Sequence, residues 1–244
     1  MWTNSELKQR AKSVLNNFGY WIPFLATILA GLLATDPLNI VSVITENPEL
    51  EYILYENEKA AAFFSFAVPF LVFLSFLWNT FIGYPVLVGM NRFFMENRIS
   101  AGKIECLFRV FKSGNYLNVV KTMFLLNLKV LLWSFLFIIP GIIKSYEYYM
   151  VPYILAENPG ISSKRAFELS KKMTDGEKFD IFWLGLSFFG WILLGTLACG
   201  IGVLFVEPYV QTTFAELYQV MREKAHGLGF SDYNELPGFF PEQA

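Results

Sequence analysis

The sequence predicts an all-α polytopic membrane protein with six transmembrane helices, arranged as three hairpins with cytoplasmic interfacial amphipathic helices. Three observations carry this reading. Of 244 residues, 55% are hydrophobic, 18% aromatic and only 16% charged, where an ordinary soluble domain carries roughly 25% charged residues. Uncharged runs cover residues 13–35, 60–91 and 181–206, and about 20 apolar residues suffice to cross about 30 Å of hydrocarbon. The basic residues are sorted to one side of these runs. A soluble chain of this size could not hide so much apolar surface.

The first span is placed at about 18–34, ending before Asp36-Pro37. Its apolar part starts late, near Phe18, and no A-x-A site follows, so a cleaved signal peptide is not expected. The second begins near 60. At about 1.5 Å per residue its uncharged run would reach ~48 Å, so a bend is expected at Gly83, Pro85 or Gly89. Pro140-Gly141 divides the next region into helices at about 118–139 and 142–157. Cys199-Gly200-Ile201-Gly202 divides the last into about 180–198 and 200–222.

Six spans put both termini on one side. On that side fall 16 of the 19 Lys and Arg residues, the others being Lys59, Lys129 and Lys144. The opposite loop, 35–59, carries Asp36, Glu46, Glu49, Glu51, Glu56 and Glu58. The positive-inside rule places both termini in the cytoplasm and the acidic loop outside. An interfacial amphipathic helix is expected before each odd span, at about 5–17, 103–114 and 162–174, the last capped by Ser162 or Ser163. These basic faces suit anionic headgroups at the cytoplasmic surface. The membrane domain therefore runs over 1–224. Residues 225–244 read as a flexible cytoplasmic tail, whose aromatics could also serve a protein partner as a docking peptide.

Ordered short motifs carry a resemblance: Asn17-Phe18-Gly19-Tyr20-Trp21; Val88-Gly89 with Arg92-Phe93-Phe94; Ile138-Ile139-Pro140-Gly141-Ile142-Ile143-Lys144-Ser145; Met150-Val151-Pro152-Tyr153; Ser170-Lys171-Lys172-Met173; and Glu207-Pro208-Tyr209. Over roughly residues 5 to 221 the chain resembles the domain-of-unknown-function 975 family of bacterial integral membrane proteins. The resemblance implies a multi-span bacterial inner-membrane protein and supplies no activity. More remotely, the fold is similar to the membrane domain fused to some glycerophosphodiester phosphodiesterases. This chain has no matching soluble catalytic domain, so that activity does not transfer.

Four ionisable residues fall near membrane depth: Lys129, Lys144, Glu147 and Glu207. Such groups are costly in hydrocarbon and are functional suspects. Besides snorkelling of Lys144 to the outer surface, two readings fit them. One is a polar site for an ion, a proton or an anionic headgroup; the other, the expected one, is structural pairing across helices. Lys129 should reach Glu207, with Glu147 as its second choice, because Lys144 already lies three residues from Glu147. Pro85, Pro140, Pro152 and Pro208 are candidate kinks that free backbone carbonyls, and broken helices line sites in transporters.

Enzyme signatures are missing. No H-E-x-x-H, G-x-S-x-G or P-loop occurs. The lone His226 cannot build a metal site. Cys106 and Cys199 form no C-x-x-C and read as inert apolar residues. A net charge of −2 points to no nucleic-acid partner. No cofactor is expected, and the oligomeric state is not readable. The function expected is non-enzymatic: a scaffold or accessory factor acting through protein partners or lipids. The alternative is a small transporter or transporter subunit using the Lys/Glu site.

Overall fold

The computed structural model describes residues 2–34, 57–197 and 200–239, and among these it is helical with no strand. Helix α1 (Asn4–Phe18) starts where the Thr3 side chain accepts from the Glu6 N–H, satisfying one free donor of the first turn. Its buried residues, Leu7, Ala11, Val14 and Leu15, follow the 3–4 spacing of one helical face. Gly19, at φ 88°, ends it. That conformation strains any residue with a Cβ, and α2 (Trp21–Ala34) departs at 105° to α1.

Asn57 caps α3 (Glu58–Trp78), which continues through a π-helical turn (Asn79–Gly83) into α4 (Tyr84–Asn97). The bend expected near Gly83 and Pro85 is therefore a π-turn, a common cause of local helix distortion. No residue of α3 is buried, whereas α4 buries Val86, Val88, Phe93, Phe94 and Met95 and forms the centre of the core. A Cβ on Gly89 would collide with the Leu107 carbonyl, so only glycine lets the 3-10 segment Ile104–Phe108 cross α4 this closely. A short α5 (Arg109–Lys112) follows.

Helix α6 (Tyr116–Leu136) and α7 (Ile138–Glu147) form a tight hairpin about the extended Phe137. The break lies before Pro140-Gly141 rather than at it. Pro140 sits in the first turn of α7, where its missing N–H has no partner to lose. Gly141 meets Ser134 so closely that a Cβ would clash. The expected fourth helix is in fact two, α7 and α8 (Val151–Glu157), separated at Tyr148–Met150. Helix α9 (Ser163–Met173) is capped by the Ser162 hydroxyl. The next region is broken at Ser187-Phe188 into α10 (Lys178–Leu186) and α11 (Phe189–Leu197). Gly200, at φ 77°, opens the final helix α12 (Ile201–Gly227), and Gly195 lies against Gly202 and Val203 across this second hairpin.

Among the described residues three helical stretches are long and apolar enough to cross a membrane: Glu58–Asn97, Tyr116–Leu136 and Lys178–Leu197. The bent pair Asn4–Phe18 and Trp21–Ala34 makes a fourth if it counts as one span. The expected spans at 142–157 and 200–222 do not pass that test. The first is cut into pieces of 10 and 7 residues. The second carries Glu207, Gln211, Thr212, Thr213 and Glu216, which lower its mean hydropathy.

Burial concentrates at one end of the molecule, where α1, α4, α8, α9 and the second half of α12 share one apolar cluster. Outward-facing phenylalanines, leucines and isoleucines dominate α3, the α6–α7 hairpin and α11. The tail expected to be flexible is docked as far as Phe239. Leu236 is fully buried in the same cluster, the Asn158 amide donates to the Glu235 carbonyl, and Arg165 holds the Glu235 carboxylate at 2.7 Å. The acidic loop assigned to the outside lies, for residues 35–56, beyond the described residues, as do Cys199 and residues 240–244.

Candidate functional site: a polar layer among apolar helices

The four intramembrane candidates come from α6 (Lys129), α7 (Lys144, Glu147) and α12 (Glu207), and the fold does not gather them into one site. Lys144 and Glu147 stand three residues apart on α7. The Lys144 ammonium donates to both Glu147 oxygens at 2.9 Å. Glu147 is buried, and this pairing neutralises a carboxylate that would otherwise be costly to bury. The end of α7 is fixed from α9: the Ser170 hydroxyl donates to the Glu147 carbonyl at 2.8 Å, and Thr174 reaches the same oxygen. Trp133 and Tyr148 present ring faces to Lys144 at 5.4 and 5.8 Å.

Lys129 does not reach Glu207. Its ammonium lies 3.6 Å from the centre of the Phe167 ring and 5.6 Å from that of Tyr148. Among the described residues it forms no ion pair with either glutamate. The expectation of a carboxylate partner fails because it leaves out α9, which brings Phe167 up beside α6. Aromatic faces carry partial negative charge and attract a cation at this distance. Glu207 instead accepts from the Gln211 amide one turn on, at 2.6 Å.

Two cavities flank that pair. One, of about 330 Å³, is lined by Asn91, Asn127, Ser145, Tyr149, Pro152 and Gln211. The other, of about 290 Å³, is lined by Thr27, Ala30, Met90, Val203 and Glu207, and Leu87 lines both. Of the four prolines, Pro140 and Pro152 sit in first helical turns, Pro85 follows the π-turn within the continuous α3–α4 stretch, and Pro208 lies inside its helix. Pro152 lines the first of these cavities.

Spacing along the chain missed the polar clusters at the packed end. Arg98 grips Glu216 through two guanidinium nitrogens, at 2.6 and 3.1 Å, and also reaches Gln219. The Glu157 carboxylate accepts from the Tyr218 hydroxyl at 2.6 Å and from the Gly238 N–H. These partners are 118, 61 and 81 residues apart, so no local pattern announces them. Cys106 is buried against Glu96, with its sulfur 2.9 Å from the carboxylate. Burial, then the bond to Glu96, pushes its thiol up to about 12, which keeps it protonated and unreactive at neutral pH. His226 places Nε2 against the Leu236 carbonyl and Nδ1 against the Ser231 hydroxyl. Among the described residues no group of three His, Cys, Asp or Glu side chains is arranged to hold a metal ion.

Residues 5–225 match a family described as "Protein of unknown function (DUF975)". The chain belongs to the DUF975 family. No curated protein and no solved structure matches it. This DUF975 protein therefore takes its functional reading from its own residues: a buried ion pair, a lysine seated on aromatic rings, and a carboxylate satisfied within its own helix.

Proposed function

We propose that this protein is an integral component of the bacterial inner membrane that acts without catalysis, as a scaffold or accessory factor working through protein partners and anionic lipids. In this reading six segments cross as three hairpins, and both termini are cytoplasmic. One observation carries the non-transport reading. Each ionisable residue at membrane depth is engaged by a protein neighbour: Lys144 by Glu147, Lys129 by Phe167 and Tyr148, Glu207 by Gln211. A conduction path needs polar groups free to exchange partners with a solute. The sorting of 16 of 19 basic residues supports the orientation. The closely packed α6–α7 and α11–α12 hairpins support paired crossings. The bases on α1 and α9 would hold the inner face against anionic headgroups, each contributing about 1 kcal/mol near the surface.

Two measurements test this. Cysteines at Glu49 and Asp232, introduced into a Cys106→Ser/Cys199→Ser background, are exposed to an impermeant maleimide on whole cells. Labelling at 49 and not at 232 is expected; the reverse would overturn the orientation. Purified protein in proteoliposomes should show no solute flux and should retain a partner after crosslinking in cells.

The two cavities that share Leu87, one lined by Glu207 and the other by Gln211, favour a second reading, a small transporter or transporter subunit. It predicts flux that Glu207→Gln abolishes.

A further inference from the structure

A further cavity lies away from the polar layer. It is an open groove of about 770 Å³ between α1 and the α11–α12 hairpin. One wall is a stripe of α1: Ser5, Lys8, Gln9 and Lys12, spaced as a single helical face. That face is distinct from the one that α1 buries with Leu7, Ala11, Val14 and Leu15. The opposite wall is apolar and aromatic, with Trp191, Phe205 and Val206, and Tyr209 stands beside the lysines.

Three features give the groove a chemistry. The first is uncompensated charge, since the residues lining it include two lysines and no acid. The Lys8 ammonium donates to the Ser187 carbonyl at 3.1 Å and lies 4.2 Å from the Phe188 ring centre. Lys12 lies 5.8 Å from the Tyr209 ring centre. These contacts orient both cations and neutralise neither. Burial, then the neighbouring Lys12, lowers the pKa of Lys8, and an anion between the two would favour the charged form of each. The second feature is polarity. The lysines, Ser5 and Gln9 form one side, while Trp191, Phe205 and Val206 form the apolar side, and the Trp191 and Phe205 side chains are exposed. The third is a brace: the Tyr20 hydroxyl donates to the carbonyl of Phe205, a lining residue, and ties the turn after α1 to α12.

A ligand matching these features is anionic at one end and hydrocarbon at the other. We infer that the groove between α1 and the α11–α12 hairpin is a binding site for one anionic glycerophospholipid of the cytoplasmic leaflet, with its headgroup phosphate between Lys8 and Lys12 and an acyl chain along Trp191 and Phe205. This deepens the proposed function and rests on its placement of α1 at headgroup level. There the lysine stripe meets the break between α10 and α11, where Lys8 reaches Ser187, and α2 departs from α1 at 105°.

The test uses the full chain in neutral detergent, titrated with short-chain phosphatidylglycerol carrying brominated acyl chains. Bromine quenches a tryptophan it touches, and the Trp191→Phe variant isolates that ring's contribution. Saturable quenching at one lipid per chain is expected, together with a rise in Tm. Lys12→Gln should weaken binding about fivefold, and Lys8→Gln/Lys12→Gln about twenty-fivefold. Lys8→Arg/Lys12→Arg should restore it, which separates charge from folding. Brominated phosphatidylcholine should bind as weakly as the double glutamine variant. Wild-type affinity in that variant would overturn the site, as would inorganic phosphate competing as effectively as the lipid. Lys171→Gln/Lys172→Gln on α9 is the control for general surface attraction. If both double variants weaken adsorption to phosphatidylglycerol vesicles equally and no stoichiometric quenching occurs, the groove is no lipid site while the surface-binding reading survives.

Discussion

The Tyr116 hydroxyl donates at 2.6 Å to the backbone carbonyl of Phe81, the carbonyl whose donor one helical turn on is missing because position 85 is proline. The bond ties the start of α6 to the π-turn between α3 and α4, where the longest helix changes register. Tyr116→Phe should lower stability by about 1 kcal/mol, the usual net value of one hydrogen bond. In a Pro85→Ala background, where the backbone at position 85 regains an N–H, the same change should cost less. Thermal unfolding in detergent of the four proteins decides it, and identical losses in both backgrounds would show that the carbonyl does not depend on Tyr116.

Lys144 and Glu147 form the ion pair that matters most to the polar layer. Lys144→Met should destabilise more than Lys144→Met/Glu147→Gln, because removing one partner leaves a buried carboxylate unpaired. Lys129→Met should be mild, losing a cation–ring contact of about 1 kcal/mol. A larger loss at Lys129 than at Lys144 would reverse their order of importance.

Cys106 predicts a pH dependence. Its thiol titrates near 9.0 when unperturbed and at about 12 in the folded chain. The raised value means that its contribution to stability is fully present below pH 9 and is lost as pH rises from there toward 12. Alkylation of a Cys199→Ser protein by iodoacetamide should be slow at about pH 8 and rise only where unfolding begins. Rapid stoichiometric labelling of folded protein under the same conditions would contradict a buried, protonated thiol.

The docked tail predicts a packing loss. Leu236→Ala should cost about 2–5 kcal/mol, as for other fully buried leucines. It should also expose residues 228–239 to protease in intact detergent-solubilised protein. Cleavage unchanged from wild type would mean that Leu236 does not hold the tail.

Features that depend on near neighbours could be read before any coordinates. The Ser162 cap, the Gly19 turn and the buried stripe from Leu7 to Leu15 follow from local spacing. The π-turn at Asn79–Gly83 could be placed but not typed, because glycine and proline mark a distortion without choosing its register. Within the candidate site only Lys144–Glu147 was visible, since three residues on one helix is a local distance. The partner of Lys129 was not. Phe167 lies on a different helix, and an aromatic ring announces no charge in a one-dimensional pattern. The docking of Glu235 on Arg165 was hidden for the same reason, since a segment rich in Gly and Pro reads as a loose end.

Leu7, from the first helix, and Leu236, from beyond the last, are buried in one apolar cluster. Their burial has a consequence for biogenesis. Chains emerge from the ribosome N-terminus first, and early segments begin to fold before late ones exist. Helix α1 must therefore wait, its apolar face incompletely covered, until every later helix has been made and the stretch around Leu236 arrives to complete the core. During that interval the nascent chain offers chaperones and quality-control proteases a surface that the finished molecule conceals.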